Sequence, residues 1–224
     1  MKVTWLGQAG AYVESGDLRI LIDPYFSDAV GKTDPAKKRR MPLPPEDLAL
    51  QPDVLIFTHD HLDHYDPETA AQFLSRKEPM IVLSPSGCWH KVRQSGGGHN
   101  YVLFDRGTQW TEKQVRFTAV PAAHSDPAAI GVLIQGEDKV LYVTGDTLYR
   151  EDIFQALPEG IDAVFLPING AGNNMNAADA ARFAQRSGAK VAIPIHWGMF
   201  DEIDPESFPF EPKQIPQIYQ EITL

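Results

Sequence analysis

Six consecutive residues, His59-Asp60-His61-Leu62-Asp63-His64, carry three imidazoles and two carboxylates. His59 and His61 stand at i and i+2, so an extended or turning backbone points both rings to one side and Asp60 away. Two imidazoles can then share one ion. Asp63 and His64 follow, and a carboxylate beside an imidazole offers ligands for a second ion. A single histidine here would read as a polar loop residue, but three at this spacing with two aspartates read as a metal site. The donor set contains no thiolate, so zinc, manganese, iron, cobalt and nickel all suit it.

The apolar runs around this segment must position it. The expected strands are Val3–Leu6, Ala11–Glu14, Leu18–Ile22, Val54–Phe57, Met80–Leu83, Val102–Phe104, Val115–Val120, Gly131–Ile134, Val140–Val143, Ala163–Leu166 and Val191–Pro194. They alternate with turn signals and a few helical segments, which is an α/β pattern. The cluster sits at the carboxyl end of Val54–Phe57. Three more candidates also follow apolar runs: His124, Asp146 and His196. In α/β sheets ligands gather beyond the carboxyl ends of strands, so these four segments are expected to meet at one edge. Each of the three has a blander reading alone: a turn cap for His124, an Asx turn or N-cap for Asp146, a packed core histidine for His196. Asp23 also ends a strand, and it reads equally as a turn residue before Pro24 or as a group orienting a ligand histidine. His90 and His99 lie away from any strand end and are left out. Asp66-Pro67-Glu68 predicts a helix start with Asp66 as N-cap, running through Phe73 to Arg76. A second helix is predicted over Ala177–Arg186, terminated by Gly188. Between them, Asn169-Gly170-Ala171-Gly172-Asn173-Asn174-Met175-Asn176 reads equally as a Gly/Asn-rich turn with an Asn cap or as a substrate-binding loop. In the second reading Asn173, Asn174 and Asn176 bind phosphate or sugar hydroxyls.

Bulk properties narrow the field. The 224 residues are 43% hydrophobic and are read as one domain spanning 1–224. A formal charge of -10 argues against nucleic acid as a partner and leaves a small-molecule substrate, with the oligomeric state open. The first residues lack the apolar stretch of a signal peptide, and no run has the length of a transmembrane segment, so a cytoplasmic protein is expected. The single cysteine, Cys88, rules out an intrachain disulfide and fits a reducing compartment; it reads as a half-buried thiol in a loop entering a helix. Ser27–Pro52, with five prolines and the run Lys37-Lys38-Arg39-Arg40, reads as a long loop or flap. Its four cations are read as a solvated face in preference to a site recruiting an anionic substrate. Gly96-Gly97-Gly98 predicts a flexible turn.

Taken together, these residues resemble the metallo-β-lactamase superfamily. His59-x-His61-x-Asp63-His64 matches its His-x-His-x-Asp-His signature, and His124, Asp146 and His196 match its later motifs in order. Leu21-Ile22-Asp23-Pro24 resembles its early strand-end motif. The resemblance implies an αββα sandwich of two mixed sheets flanked by helices. It implies one metal on His59, His61 and His124, a second on Asp63, His64 and His196, and Asp146 bridging them. The segments 58–64, 144–147, 176–180 and 194–198 are similar to the branch containing ascorbate-6-phosphate lactonase, and this favours two zinc or manganese ions, with iron as an alternative. The expected activity is hydrolysis by hydroxide formed on the metals, which lower the pKa of bound water from about 15.7 to about 7. Asp63 is the expected catalytic residue, both ligating and orienting. The expected substrate is a lactone or other carboxylic ester, phosphorylated ones included. A phosphodiesterase or phospholipase-D-like hydrolase is the alternative, and an iron-dependent redox enzyme or non-catalytic metal-binding protein is the alternative class. No cysteine stands beside the metal motifs, which disfavours antibiotic hydrolysis.

Overall fold

The computed structural model describes residues 1–46, 48 and 50–224, leaving Asp47 and Ala49 of the Ser27–Pro52 segment outside the described residues. Seven strands form the first sheet: β1 (Lys2–Trp5), β2 (Ala11–Ser15), β3 (Leu18–Ile22), β4 (Val54–Ile56), β5 (Ile81–Ser84), β6 (Asn100–Leu103) and β13 (Glu221–Thr223). Their order is β13-β1-β2-β3-β4-β5-β6. The second sheet contains β7 (Gln109–Glu112), β8 (Val115–Pro121), β9 (Ile130–Gly136), β10 (Lys139–Val143), β11 (Ala163–Pro167) and β12 (Val191–Ile195), in the order β12-β11-β10-β9-β8-β7. Both sheets mix parallel and antiparallel pairs.

The continuous apolar runs are explained by burial on both faces. On β4, Val54 and Ile56 turn toward the second sheet, where they join Trp5, Phe117, Val132 and Phe165 in the central core. Leu55 turns outward, into a layer with Phe57, Phe73 and Val92 under α2 (Pro67–Leu74) and α3 (Ser86–Gln94). On the far side, α4 (Ala177–Ser187) packs Phe183 and Ala184 against Tyr142 and Val164. The layers are therefore helix, sheet, sheet, helix. Among the described residues no helix is long and apolar enough to cross a membrane.

Capping follows the local sequence. The Asp66 side chain accepts from Glu68 N at 3.1 Å with Pro67 in the first turn, and α2 ends at Leu74, two residues before the expected Arg76. Asn176 Oδ1 accepts from Asp179 N at 2.9 Å, and Gly188 closes α4 at φ 70°.

Three expectations are corrected. β7 and β13 are additional edge strands; Gln109-Trp110-Thr111-Glu112 and Glu221-Ile222-Thr223 carry too few apolar residues to signal burial. Cys88 lies inside α3 and is fully buried, not half-buried in a loop. The Ser27–Pro52 segment is not all loop, since it contains a short helix α1 (Ala29–Thr33) and a 3₁₀ turn at Pro35–Lys37.

Strand direction decides where the polar segments go. β1 and β3 are both antiparallel to β2, and β4 is parallel to β3, so β1, β3 and β4 end on the same edge. By the same reasoning β8, β10 and β12 run together in the second sheet. The turns that follow these six strands carry the site.

Candidate metal centre

Three groups of donor atoms converge at that edge: His59, His61 and His124; Asp63, His64 and His196; and His59, His64 and Asp146. In the first, His61 Nδ1 lies 3.1 Å from His59 Nε2 and 3.1 Å from His124 Nε2. Zinc–nitrogen bonds of about 2.0–2.1 Å at tetrahedral angles would place ligand nitrogens on the order of 3.3 Å apart, so this spacing is that of ligands sharing an ion. In the second, His196 Nε2 is 3.3 Å from Asp63 Oδ2. Asp146 stands between them. Its Oδ1 is 3.2 Å from His64 Nε2 and 3.3 Å from His196 Nε2, while its Oδ2 is 3.9 Å from His124 Nε2. The first two groups each take donors from both sheets, the 59–64 turn supplying one side and His124 or His196 the other.

Two of these atoms, His64 Nε2 and Asp146 Oδ1, are buried with no hydrogen-bond partner. Buried polar atoms are rarely left unmatched, and here both face the same point. Hard carboxylate and borderline imidazole donors around such a point fit a divalent transition metal.

A surrounding layer of hydrogen bonds fixes the rings, as metal ligands require. Asp23 Oδ1 accepts from Thr58 N at 2.8 Å, and Asp23 Oδ2 lies 2.8 Å from His64 Nδ1. Thr58 Oγ1 donates to the same carboxylate and lies 3.1 Å from His59 Nδ1. Asp23 therefore orients His64, one of the candidate ligands. It is held at φ 42°, and His196 at φ 60°, left-handed conformations uncommon outside glycine. His124 Nδ1 reaches the Asn173 carbonyl at 3.2 Å. Asp126 ties two site loops together, Oδ2 accepting from Asp60 N at 3.0 Å and Oδ1 from Ala128 N at 2.8 Å.

Charge follows from this packing. Burial alone would neutralise Asp63 and Asp146, but neighbouring His64 and His196 hold both carboxyls below the usual carboxylate range. Burial likewise opposes charge on His64 and His196, yet facing carboxylates win: His64 is raised, and His196 is pushed up to about 9. His59 and His124 are lowered, first by burial. Two carboxylates thus share the site with protons that an arriving cation would displace.

All seven residues expected as ligands lie together. Asp60 points outward to Lys91 Nζ at 2.7 Å. His90 is exposed on α3, and His99 Nε2 meets the Leu74 carbonyl at 2.9 Å, far from the cluster in the fold. Among the asparagines, Asn174 donates to Asp146 Oδ2 at 2.8 Å and accepts from Thr147 N at 3.0 Å, so its amide is occupied in the site wall. Asn173 lies on the cavity wall, and the Asn176 side chain caps α4. The residue not singled out is Gln8, buried beside Asp63 and His196. Its position after the Val3–Leu6 run was the only available signal. A cavity of about 570 Å³ opens over the centre, with His61, Asp63, Asp146 and His196 at its base and Lys37 and Phe200 among its walls.

A family model described as a β-lactamase superfamily domain matches residues 18–197. The chain is 31% identical over 215 residues to a UPF0173 metal-dependent hydrolase of Ligilactobacillus salivarius, covering 91% of this chain and 88% of that protein. It is 29% identical over 216 residues to a UPF0173 protein of Pyrococcus furiosus, covering 93% and 89% respectively. In fold it is similar to a possible metal-dependent hydrolase from Veillonella parvula, with TM-score 0.81 and 20% identity over 100% of this chain and 99% of that one.

Proposed function

Because the chain belongs to the β-lactamase superfamily, we propose that it is a metal-dependent hydrolase acting on a small lactone or other carboxylic ester that carries an anionic group. The observation that carries the reading is the pair of donor groups, with two unpartnered buried atoms, at the floor of an open cavity. His59, His61 and His124 would hold one ion, Asp63, His64 and His196 a second, and Asp146 would face both. Bound zinc or manganese would polarise the substrate and supply a nucleophile from water at neutral pH. Asp63 lines the cavity as well as the second group, which suits it to orient the attacking water. Lys37 lines the same cavity and is the one lysine or arginine among its described lining residues, so it is suited to hold a substrate carboxylate or phosphate. One member of the basic run thereby gains a role, while Arg39 is spent on the carbonyls of Tyr25, Met41 and Pro42. Contributions from both sheets to one centre support a single domain over 1–224.

The test is elemental analysis of protein purified without chelator, paired with turnover of neutral lactones, phosphorylated lactones and bis(p-nitrophenyl) phosphate. Acid release from lactones that stops on chelation is expected. Turnover of the phosphodiester alone would replace the substrate class, and a metal-free wild-type protein would end the hydrolase reading. Lys37→Ala is expected to raise KM for an anionic lactone about tenfold, the loss of about 1.4 kcal/mol, and to leave a neutral lactone unaffected.

A further inference from the structure

Gln8 occupies a position that the ligand groups alone do not explain. It is 1% exposed, sits in the turn after β1, and is held at φ 51°. Its Nε2 donates to Asp63 Oδ2 at 2.7 Å and lies 3.0 Å from His196 Nε2 and 3.3 Å from His196 Nδ1. Its carbonyl accepts from His196 N at 2.9 Å and from Trp5 Nε1 at 3.0 Å. Every one of these contacts with the centre falls on the Asp63–His64–His196 group, and none on His59, His61 or His124. The supports of His59, His64 and His124 are Thr58, Asp23 and the Asn173 carbonyl. For His196 the neighbouring polar side chain outside the ligand set is Gln8.

We infer that Gln8 is a positioning residue for the second ion, fixing the Asp63 carboxylate through its neutral side-chain amide while its carbonyl holds the His196 backbone. A carboxamide suits this place. It donates to a carboxylate without adding charge, so it fixes Asp63 Oδ2 while leaving that oxygen anionic for a cation. A left-handed, buried, non-glycine residue at a candidate site is also the kind of local strain that surrounding structure must sustain. The inference rests on the two-ion reading above and concerns only which residue holds the second member.

The experiment is zinc titration of the metal-free full chain against a competing chromophoric chelator, for wild type, Gln8→Ala and Gln8→Gly. Both substitutions keep the carbonyl that holds His196 N, and glycine accepts φ 51° without strain. Expected is a wild type that binds two equivalents. In both variants the first equivalent should stay within threefold, and the second should weaken tenfold or more, the range for loss of such supporting contacts. Melting of the metal-free variants shows that the fold persists. An unchanged second equivalent in the variants, or equal weakening of both, overturns the role of Gln8 and leaves the hydrolase reading standing. A wild type binding one ion or none overturns the two-ion reading and this inference with it.

Discussion

Replacing single donors should separate the two ion positions. His61→Ala removes an atom 3.1 Å from both His59 and His124 donors, so metal content and turnover should fall together. Asp146→Asn keeps the shape but loses charge between the groups, and should loosen the metal pair; wild-type occupancy by elemental analysis would count against its place between them. Asp23 belongs to none of the three donor groups, and Asp23→Asn should weaken metal affinity about 10- to 100-fold through His64 and Thr58. Protonation gives a signed test. His64 and His196 are raised in the metal-free fold, so the stability they contribute is complete below the ordinary histidine range near 6.5 and is lost as pH rises through their raised values, about 9 for His196. Chelated protein should therefore lose thermal stability across that window while metal affinity increases, because fewer protons need displacing. Parallel pH series of melting and zinc competition would reveal any other sign. At this scale His59, His61, Asp63 and His64 were legible as candidate ligands because histidine and aspartate at close spacing have few other uses, and His124, Asp146 and His196 through their places after apolar runs. Gln8 was not, since one glutamine after a strand is chemically silent until its neighbours are known. Asp23 stayed balanced because an aspartate before proline serves a turn equally well.

Between residues and sheets lie the turns that carry the candidate ligands, and these have their own fastenings. Arg106 donates to the carbonyls of Pro127 at 2.7 Å and Ala122 at 3.2 Å, bracketing the turn that bears His124. Arg106→Ala should cost about 1 kcal/mol, reduced from the usual charged-bond figure by exposure. For a chain of this size that is a melting decrease of roughly 2–4 °C, and the ion at the three-histidine group should also become easier to chelate. The β9–β10 hairpin offers the opposite change. Glu137 and Asp138 both have positive φ, at 53° and 56°, the pairing of a tight primed turn that favours glycine. Asp138→Gly should raise the melting temperature by about 2–3 °C, from relief of roughly 1 kcal/mol, with turnover unchanged. Strands buried on both faces could be read from their apolar runs, whereas the edge strands β7 and β13 could not. Their pairing depends on a neighbour's open hydrogen bonds more than on their own side chains.

At the scale of the whole molecule, apolar runs alternating with turns read as an α/β chain, and the sandwich followed only from the resemblance that the metal motifs carry. What no local pattern could supply was the direction of each strand, and it is direction that brings β1, β3, β4, β8, β10 and β12 to one edge. The two sheets meet through side-chain packing along their faces, but at that edge both ion groups take donors from each sheet. Occupied ions would therefore act as clasps across the mouth of the sandwich. By linkage, a metal at a hundred times its dissociation constant would add about 2.7 kcal/mol to the folded state. Its effect should also appear in time: if spreading of the sheets at this edge precedes global unfolding, stripping the metals will speed unfolding and expose the turns to protease before the distal hairpins are cut. Limited proteolysis with and without chelator reads that order directly, and cleavage beginning at the β9–β10 hairpin in both states would show that the clasp does not govern how the chain comes apart.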